Sequence, residues 1–150
     1  LILGAEKAML NEKMQQRIVD YTRQGGNLLV SGSYIGSILP TSLSNNVLKF
    51  SHGGSMWGVT TGNVSGANTT FTFPTQVNEK NYAVTAPDCL LPANGSYSTF
   101  AYTPGNYGAG IAYKGSDYRT FVLGFPLESI EGIQQRTQMM KAALGLFRSK

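Results

Sequence analysis

One stretch constrains the fold more than any other: Tyr21-Thr-Arg-Gln-Gly25-Gly-Asn-Leu-Leu-Val30-Ser-Gly-Ser-Tyr-Ile35-Gly36. Gly25 and Gly26 stop a helix, because glycine enters the left-handed region at little cost. Leu28 to Val30 then form a short apolar strand, and Ser31 to Gly36 form a glycine-serine turn. Helix, strand and turn in that order make the repeating unit of open α/β sheets, whose ligands sit beyond the carboxyl ends of the strands. Ser31 to Gly36 is therefore the first place to look for a site.

The preceding residues complete the unit. Leu1 to Leu3 are continuously apolar and precede Gly4, as in a buried strand of a parallel sheet. Asn11 is a helix cap, after which Met14, Ile18 and Tyr21 recur at helical spacing. Strand, helix and strand within about thirty residues predict two parallel strands joined by a crossover.

The middle of the chain is less regular. Tyr34 to Leu39 predict one helical turn before Pro40, and Leu43 to Phe50 a second short helix. Ser51 to Gly58 reads as a loop carrying His52 and Trp57, the sole histidine and the sole tryptophan. Val59 to Ala67 reads as irregular or as strand and turn. Strands are predicted at Thr70–Phe73, Tyr82–Thr85 and Thr99–Tyr102. Ala109–Tyr113 and Tyr118–Phe125 predict a hairpin with a central second strand. A last helix, capped at Ser129, aligns Ile133, Thr137, Met140, Leu144 and Phe147 on one face. Element order predicts a single α/β domain over 1–150: a three-layer sandwich with a mostly parallel sheet, a β-rich insert, and a C-terminal hairpin plus helix.

Charge and composition narrow the function classes. The net charge of +4 is spread along the chain, and no basic cluster alternates with aromatics, which argues against nucleic-acid binding. No apolar run is long enough to cross a bilayer. Cys89 has no second cysteine to pair with and reads as a half-buried thiol. One histidine, one cysteine and scattered acids give no metal-ligand spacing, and nothing in the chain calls for a cofactor. Leu1 begins as if within a strand, so the chain reads as a piece of a longer protein with an upstream strand and helix.

Two kinds of chemistry have candidates. Ser31 and Ser33, on the tight turn, are the candidate nucleophiles, with His52 as base and Glu128 or Asp88 orienting it. The turn lacks the Gly-x-Ser-x-Gly elbow. Trp57 and Tyr34, with Tyr97, Tyr102, Tyr107 and Tyr113, are the candidates for stacking on sugar rings, which calls for coplanar exposed faces. The glycines at 32 and 36 offer backbone N–H groups to an anion if a helix starts at Tyr34.

Gly25-Gly-Asn-Leu-Leu-Val-Ser-Gly32 and Gly124-Phe-Pro-Leu-Glu128, with Ile2–Gly4, Ile18–Tyr21 and Ala109–Tyr113, resemble the C-terminal domain of large exported proteins of polysaccharide-degrading Gram-negative bacteria, labelled xanthan lyase-like. The resemblance covers most of the chain except 41–100. It implies a flavodoxin-like fold of the class I glutamine amidotransferase-like kind. Active members carry a cysteine nucleophile on the turn and a Phe-His-Pro-Glu block after the last strand. Here the turn reads Ser31-Gly32-Ser33, and the late block keeps Glu128 but has no histidine. The resemblance thus implies a non-catalytic accessory domain of an exported protein, partnered by other domains of its parent and by polysaccharide. The alternatives are a hydrolase or lyase built on Ser31, Ser33, His52 and Glu128, a carbohydrate-binding module, and an interface that oligomerises through an incomplete sheet edge.

Overall fold

Asn11 starts the first helix, its side-chain oxygen accepting the Met14 N–H at 2.9 Å, and α1 runs Glu12–Arg23. The computed structural model describes residues 1–4, 10–57, 62–77, 79 and 81–149. Gly25, at φ +86°, turns the chain out of the helix. A Cβ at Gly26 would lie 2.4 Å from the Tyr21 ring, which folds back over this exit. That use of Tyr21 rotates the inward face away from the expected one. Ile18 and Val19 pack on the core beside buried Leu10, whereas Met14 and Tyr21 are exposed.

The chain then forms β1 (Leu28–Ser31) and two single helical turns, α2 (Ile35–Ile38) and α3 (Thr41–Ser44). The helix expected over Leu43–Phe50 is confined to the end of α3 at Ser44; Asn45 and Asn46 are poor helix formers, and Phe50 already opens β2 (Phe50–Ser55). The expected loop around His52 is thus mostly strand, with Gly58 outside the described residues. Next comes the hairpin of β3 (Asn63–Gly66), inside the Val59–Ala67 stretch whose first residues lie outside those described, and β4 (Thr69–Thr72), which overlaps the expected Thr70–Phe73 strand. The Tyr82–Thr85 stretch is not a strand. Val84 is buried in a loop closed by its own N–H on the Pro74 carbonyl. Then follow β5 (Asp88–Pro92), β6 (Tyr97–Thr103), β7 (Tyr107–Lys114), β8 (Arg119–Leu123), a 3₁₀ turn at Leu127–Ser129, and α4 (Ile133–Arg148).

The main sheet has the order β1-β8-β7-β6-β3-β4, and β2 pairs with β5 in a second, two-stranded sheet. β1 and β8 are parallel, and Ile2 bridges Ser31 in parallel on the other side of β1. β8–β7, β7–β6, β6–β3, β3–β4 and β2–β5 are all antiparallel. This corrects the expected flavodoxin-like sandwich with a mostly parallel sheet: the fold is β-rich, with a curled, mixed and mainly antiparallel sheet and few helices. The physical reason lies in the connections. Parallel neighbours need a crossover of a dozen or more residues, usually a helix, and α1 supplies one. Between α3 and α4 the described residues hold no α-helix, and short links join β3 to β4, β6 to β7 and β7 to β8 as hairpins.

Alternation along the strands fills both faces. On β8, Phe121 and Leu123 join the cluster under α4 with Phe100, Phe125 and Met139. Val122 faces the other way, into a cluster with Val30, Ile35, Phe50, Leu90 and Ile111. The last helix is capped at Gly132, three residues past the expected Ser129, whose hydroxyl instead donates to the Pro126 carbonyl at 2.6 Å. Its buried residues are Met139 and Ala143, while Ile133 is 74% exposed. Met140 and Phe147 of the expected face do pack against this core, whereas Ile133 and Leu144 are exposed, so the buried line runs through Met139 and Ala143 beside the expected one.

Met139→Ala should lower the urea-unfolding free energy by about 2–5 kcal/mol through lost burial and a cavity. Ile133→Ala should change it by less than about 0.5 kcal/mol. The reverse ranking would show that α4 docks by its other face.

Candidate functional site

The turn after β1 is held on both sides. Gly32 N–H donates to the Leu123 carbonyl at 3.3 Å, and Ser33 N–H to the Gly4 carbonyl at 2.9 Å. Tyr34 then takes the left-handed conformation, φ 61° and ψ 3°, as the N-cap of α2 without any side-chain capping bond. A bulky non-glycine residue in that region is costly and marks a place worth inspecting.

Asp88, at the start of β5, is fully buried beneath this turn. Its Oδ2 accepts the Gly36 N–H at 2.7 Å, and its Oδ1 accepts the Ser55 hydroxyl at 2.9 Å. His52 Nε2 lies 3.3 Å from the same Oδ1, with its side chain 28% exposed. The backbone of Asp88 is also engaged: its N–H donates to the Gly124 carbonyl at 2.7 Å, and its carbonyl accepts the Tyr102 hydroxyl at 2.9 Å. Burial pushes the Asp88 carboxyl above its ordinary value of 3.8, while the Gly36 N–H, the Ser55 hydroxyl and His52 pull it back. Glycine is required at 36, because a Cβ there would fall 2.3 Å from His52 Cδ2. The Gly36 N–H, an expected anion donor, is thus taken by the protein's own carboxylate.

Among the described residues no hydrogen bond joins any two of Ser31, Ser33, His52 and Glu128. Ser31 is fully buried, and its Oγ accepts the Leu127 N–H at 3.3 Å. Ser33 is 1% exposed, and its Oγ has no hydrogen-bond partner. Glu128 Oε1 accepts the Tyr82 hydroxyl at 2.5 Å, while Oε2 is buried without a partner. Burial, followed by the bond and charge of Glu128, raises the Tyr82 hydroxyl well above its ordinary value. His52 is bound to neither serine; its partner is Asp88, the alternative orienter. Cys89, next in β5, is buried, and its thiol is pushed up mainly by that burial. The arrangement is an imidazole–carboxylate pair with no nucleophile on it.

Tyr34 and Trp57 do come together, with ring centroids 5.5 Å apart, but their planes are inclined at 58°. They do not form the coplanar platform expected of a sugar-stacking pair. Trp57 is 69% exposed beside the Tyr34 ring. Among the described residues no group of three or more His, Cys, Asp or Glu side chains is placed to hold a metal ion. No helix among them is long and apolar enough to cross a membrane. Sequence reasoning undervalued Asp88 and overlooked Ser55. The available signal was an acid opening the apolar run Asp88-Cys-Leu-Leu91, in a chain with only 8 acidic residues.

No protein-family model matches the chain. No curated protein matches it either. Solved structures do share its fold. The exo-β-1,4-mannosidase Op5Man5 from Opitutaceae bacterium strain TAV5 aligns at a TM-score of 0.60 and 8% identity, over 93% of this chain and 23% of that one. The β-galactosidase of the Antarctic haloarchaeon Halorubrum lacusprofundi aligns at 0.62 and 16% identity, over 94% and 21% respectively. The mmIFT52 N-terminal domain aligns at 0.59 and 12% identity, over 95% and 74%. The chain thus spans about one fifth of the glycosidase chains it resembles, and the likeness is one of fold. The fold occurs as a part of larger carbohydrate-processing chains.

The raised Asp88 value fixes the sign of a pH effect. A carboxyl held above its unfolded value contributes stability that is full below 3.8 and is lost as pH rises through the elevated folded value. Relative to Asp88→Asn, the wild-type urea midpoint should therefore fall as pH climbs through that acid window. A constant difference between the two proteins would show that Asp88 is not strained by burial.

Proposed function

We propose that the chain is a non-catalytic accessory domain of an exported bacterial protein that processes polysaccharide or cell-envelope material, as its Gly25–Gly32 and Gly124–Glu128 blocks suggest. One observation carries this reading: the sole imidazole is turned onto a buried carboxylate, with neither candidate serine hydroxyl on it. A serine nucleophile needs a base within hydrogen-bond reach. Supporting it, the same fold forms about one fifth of the mannosidase and β-galactosidase chains above. The partners on this reading are other domains of the parent chain. The test is turnover of p-nitrophenyl esters and of p-nitrophenyl galactosides and mannosides by wild type, Ser33→Ala and His52→Ala. All three should be indistinguishable from buffer. Wild-type turnover that falls tenfold or more in either variant would establish the hydrolase reading instead.

A second reading, direct sugar binding, is favoured by the exposure of Trp57 beside Tyr34. Trp57 is the sole tryptophan, so its emission reports on that corner alone. On this reading, β-linked manno- or galacto-oligosaccharides shift the emission, and Tyr34→Ala weakens the response by roughly 1 kcal/mol, the worth of an aromatic pair. Unchanged emission at millimolar sugar removes the second reading and leaves the accessory role standing.

A further inference from the structure

A cleft of about 430 Å³ lies between β6, β7, β8 and the last turns of α4. Its sheet side is apolar: Phe100, Ala112 and Phe121 line it, are buried, and belong to the cluster that α4 covers. The helix does little to fill the space. Ala142 and Gly145 line the cleft, and a Cβ at Gly145 would meet no atom within 4 Å. Glycine in a helix costs about 1 kcal/mol relative to alanine, so packing alone gives no reason for it here.

The polar side chains that line the cleft leave one group unmet. The Ser149 hydroxyl donates to the Leu146 carbonyl at 2.8 Å, and Lys114 has an interaction of its own. Tyr97 is 47% exposed, so water reaches it. Thr99 differs, because its Oγ1 is buried without a hydrogen-bond partner. The β6–β7 register shifts between Ser98 and Phe100, and Thr99 and Phe100, neighbours in sequence, both line the cleft. A Cβ at Gly110 would lie 2.9 Å from Thr99 Oγ1 and 3.0 Å from Phe100 Cδ2, so hydroxyl and ring stand side by side. Buried polar atoms without partners are uncommon, and each calls for a group that completes it. A hydroxyl can both donate to such a group and accept from it.

We propose that this cleft binds a neutral, mainly apolar molecule with a single oxygen, of the medium-chain alcohol class, its chain along Phe100, Phe121 and Leu146 and its oxygen on Thr99 Oγ1. Neutrality follows from the lining. Among the described residues no acidic side chain lines the cleft, and Lys114, the cation that does, is already engaged. An ionised head group would lose water there with no free opposite charge to meet it. At the roughly 30 Å³ a water occupies in the liquid, 430 Å³ corresponds to about 14 waters, or a ligand of about a dozen non-hydrogen atoms. A ligand of this size supports a dissociation constant of about 0.1 to 1 mM. The proposal is independent of the accessory role.

The experiment is an NMR titration of the whole chain with octanol, octanoate and ethylbenzene, read at the Ala112 and Gly145 amides. Octanol should shift both amides of the wild type, and octanoate should bind roughly fivefold more weakly. Thr99→Val, which keeps the shape and removes the hydroxyl, should weaken octanol about fivefold and leave ethylbenzene unchanged or tighter. Gly145→Leu, which fills the cleft from a position open to a side chain, should weaken both octanol and ethylbenzene by roughly tenfold or more while helix content holds. If Gly145→Leu loses its fold, Ala142→Leu provides the same block. No octanol shift at these amides at millimolar concentration, or equal binding to wild type and a folded blocking variant, overturns the proposal. Octanoate binding as tight as octanol overturns the neutral assignment. A Thr99→Val effect of the same size on octanol and ethylbenzene overturns the part given to the hydroxyl.

Discussion

The Asp88 carboxylate is the interaction on which the arrangement around the β1 turn depends. Taking an ionised carboxylate out of water costs several kcal/mol even after relaxation, and that cost is offset only when its lone pairs are filled. Here they are filled from three directions: the Gly36 N–H from α2, the Ser55 hydroxyl from the end of β2, and His52 from its middle. Through its backbone the same residue joins the exit of β8 at Gly124 and the Tyr102 hydroxyl of β6. Four separate pieces of chain thus converge on one residue. The two-stranded β2–β5 sheet is thereby fixed to the main sheet at this corner. The close contact of His52 with Gly36, and the left-handed Tyr34 two residues earlier, fit the same requirement: the backbone must come near enough to donate to the buried carboxylate.

β8 is the second organising element, because it is where the sheet changes character. Its register with β1 is parallel and with β7 antiparallel. On the parallel side the backbone needs a crossover, and α1 with its glycine stop provides it. On the antiparallel side hairpins join β8 to β7, β7 to β6 and β3 to β4, and the pairing of β6 with β3, far apart in sequence, extends the sheet to β4. Four of five β8 residues are buried, with alternate side chains in separate clusters, so this short strand carries the cores of both faces.

Much of the local structure was legible, and the failures have physical causes. Asn11, the Gly25–Gly26 stop, the apolar Leu28–Val30 and the turn at Gly115 are signals written in a few adjacent residues, and each specifies its own geometry. Strand direction is different. Leu28–Val30 and Val122–Leu123 look alike whether their neighbours run parallel or antiparallel, so the expected parallel sheet rested on element order and on a resemblance that left out residues 41–100, and the strands there were set aside as an insert although β3, β4 and β6 belong to the main sheet. Helix faces were misjudged in part: the buried line of α4 runs through Met139 and Ala143 beside the expected Met140, and Tyr21 folds over Gly26 instead of facing inward. The site was half legible: Tyr34 and Trp57 are adjacent, but their tilt depends on how two loops meet, which no spacing rule encodes. The link from Asp88 to Gly36 spans 52 residues, and a contact of that range leaves only an indirect trace, an acid where the pattern calls for an apolar residue.

An imidazole beside a buried carboxylate has the outline of two-thirds of a catalytic triad, and the surroundings decide how to read it. In a triad the carboxylate orients the histidine, and the histidine's other nitrogen serves a nucleophile. Here the carboxylate has a task of its own, holding α2 to β2, and the histidine places its Nε2 against that buried group. Ser55, the hydroxyl that shares Asp88 with His52, donates to the carboxylate and is committed as a prop. Ser31 receives an N–H from the chain that leaves β8, which makes it a brace for that turn. Conversion to a working triad would require a hydroxyl or thiol on the free side of the ring, and Gly36 already lies against its Cδ2 edge. The same close packing that lets Gly36 donate to Asp88 thus closes off one approach to His52. Charge burial and backbone anchoring account for this pair more fully than proton transfer does.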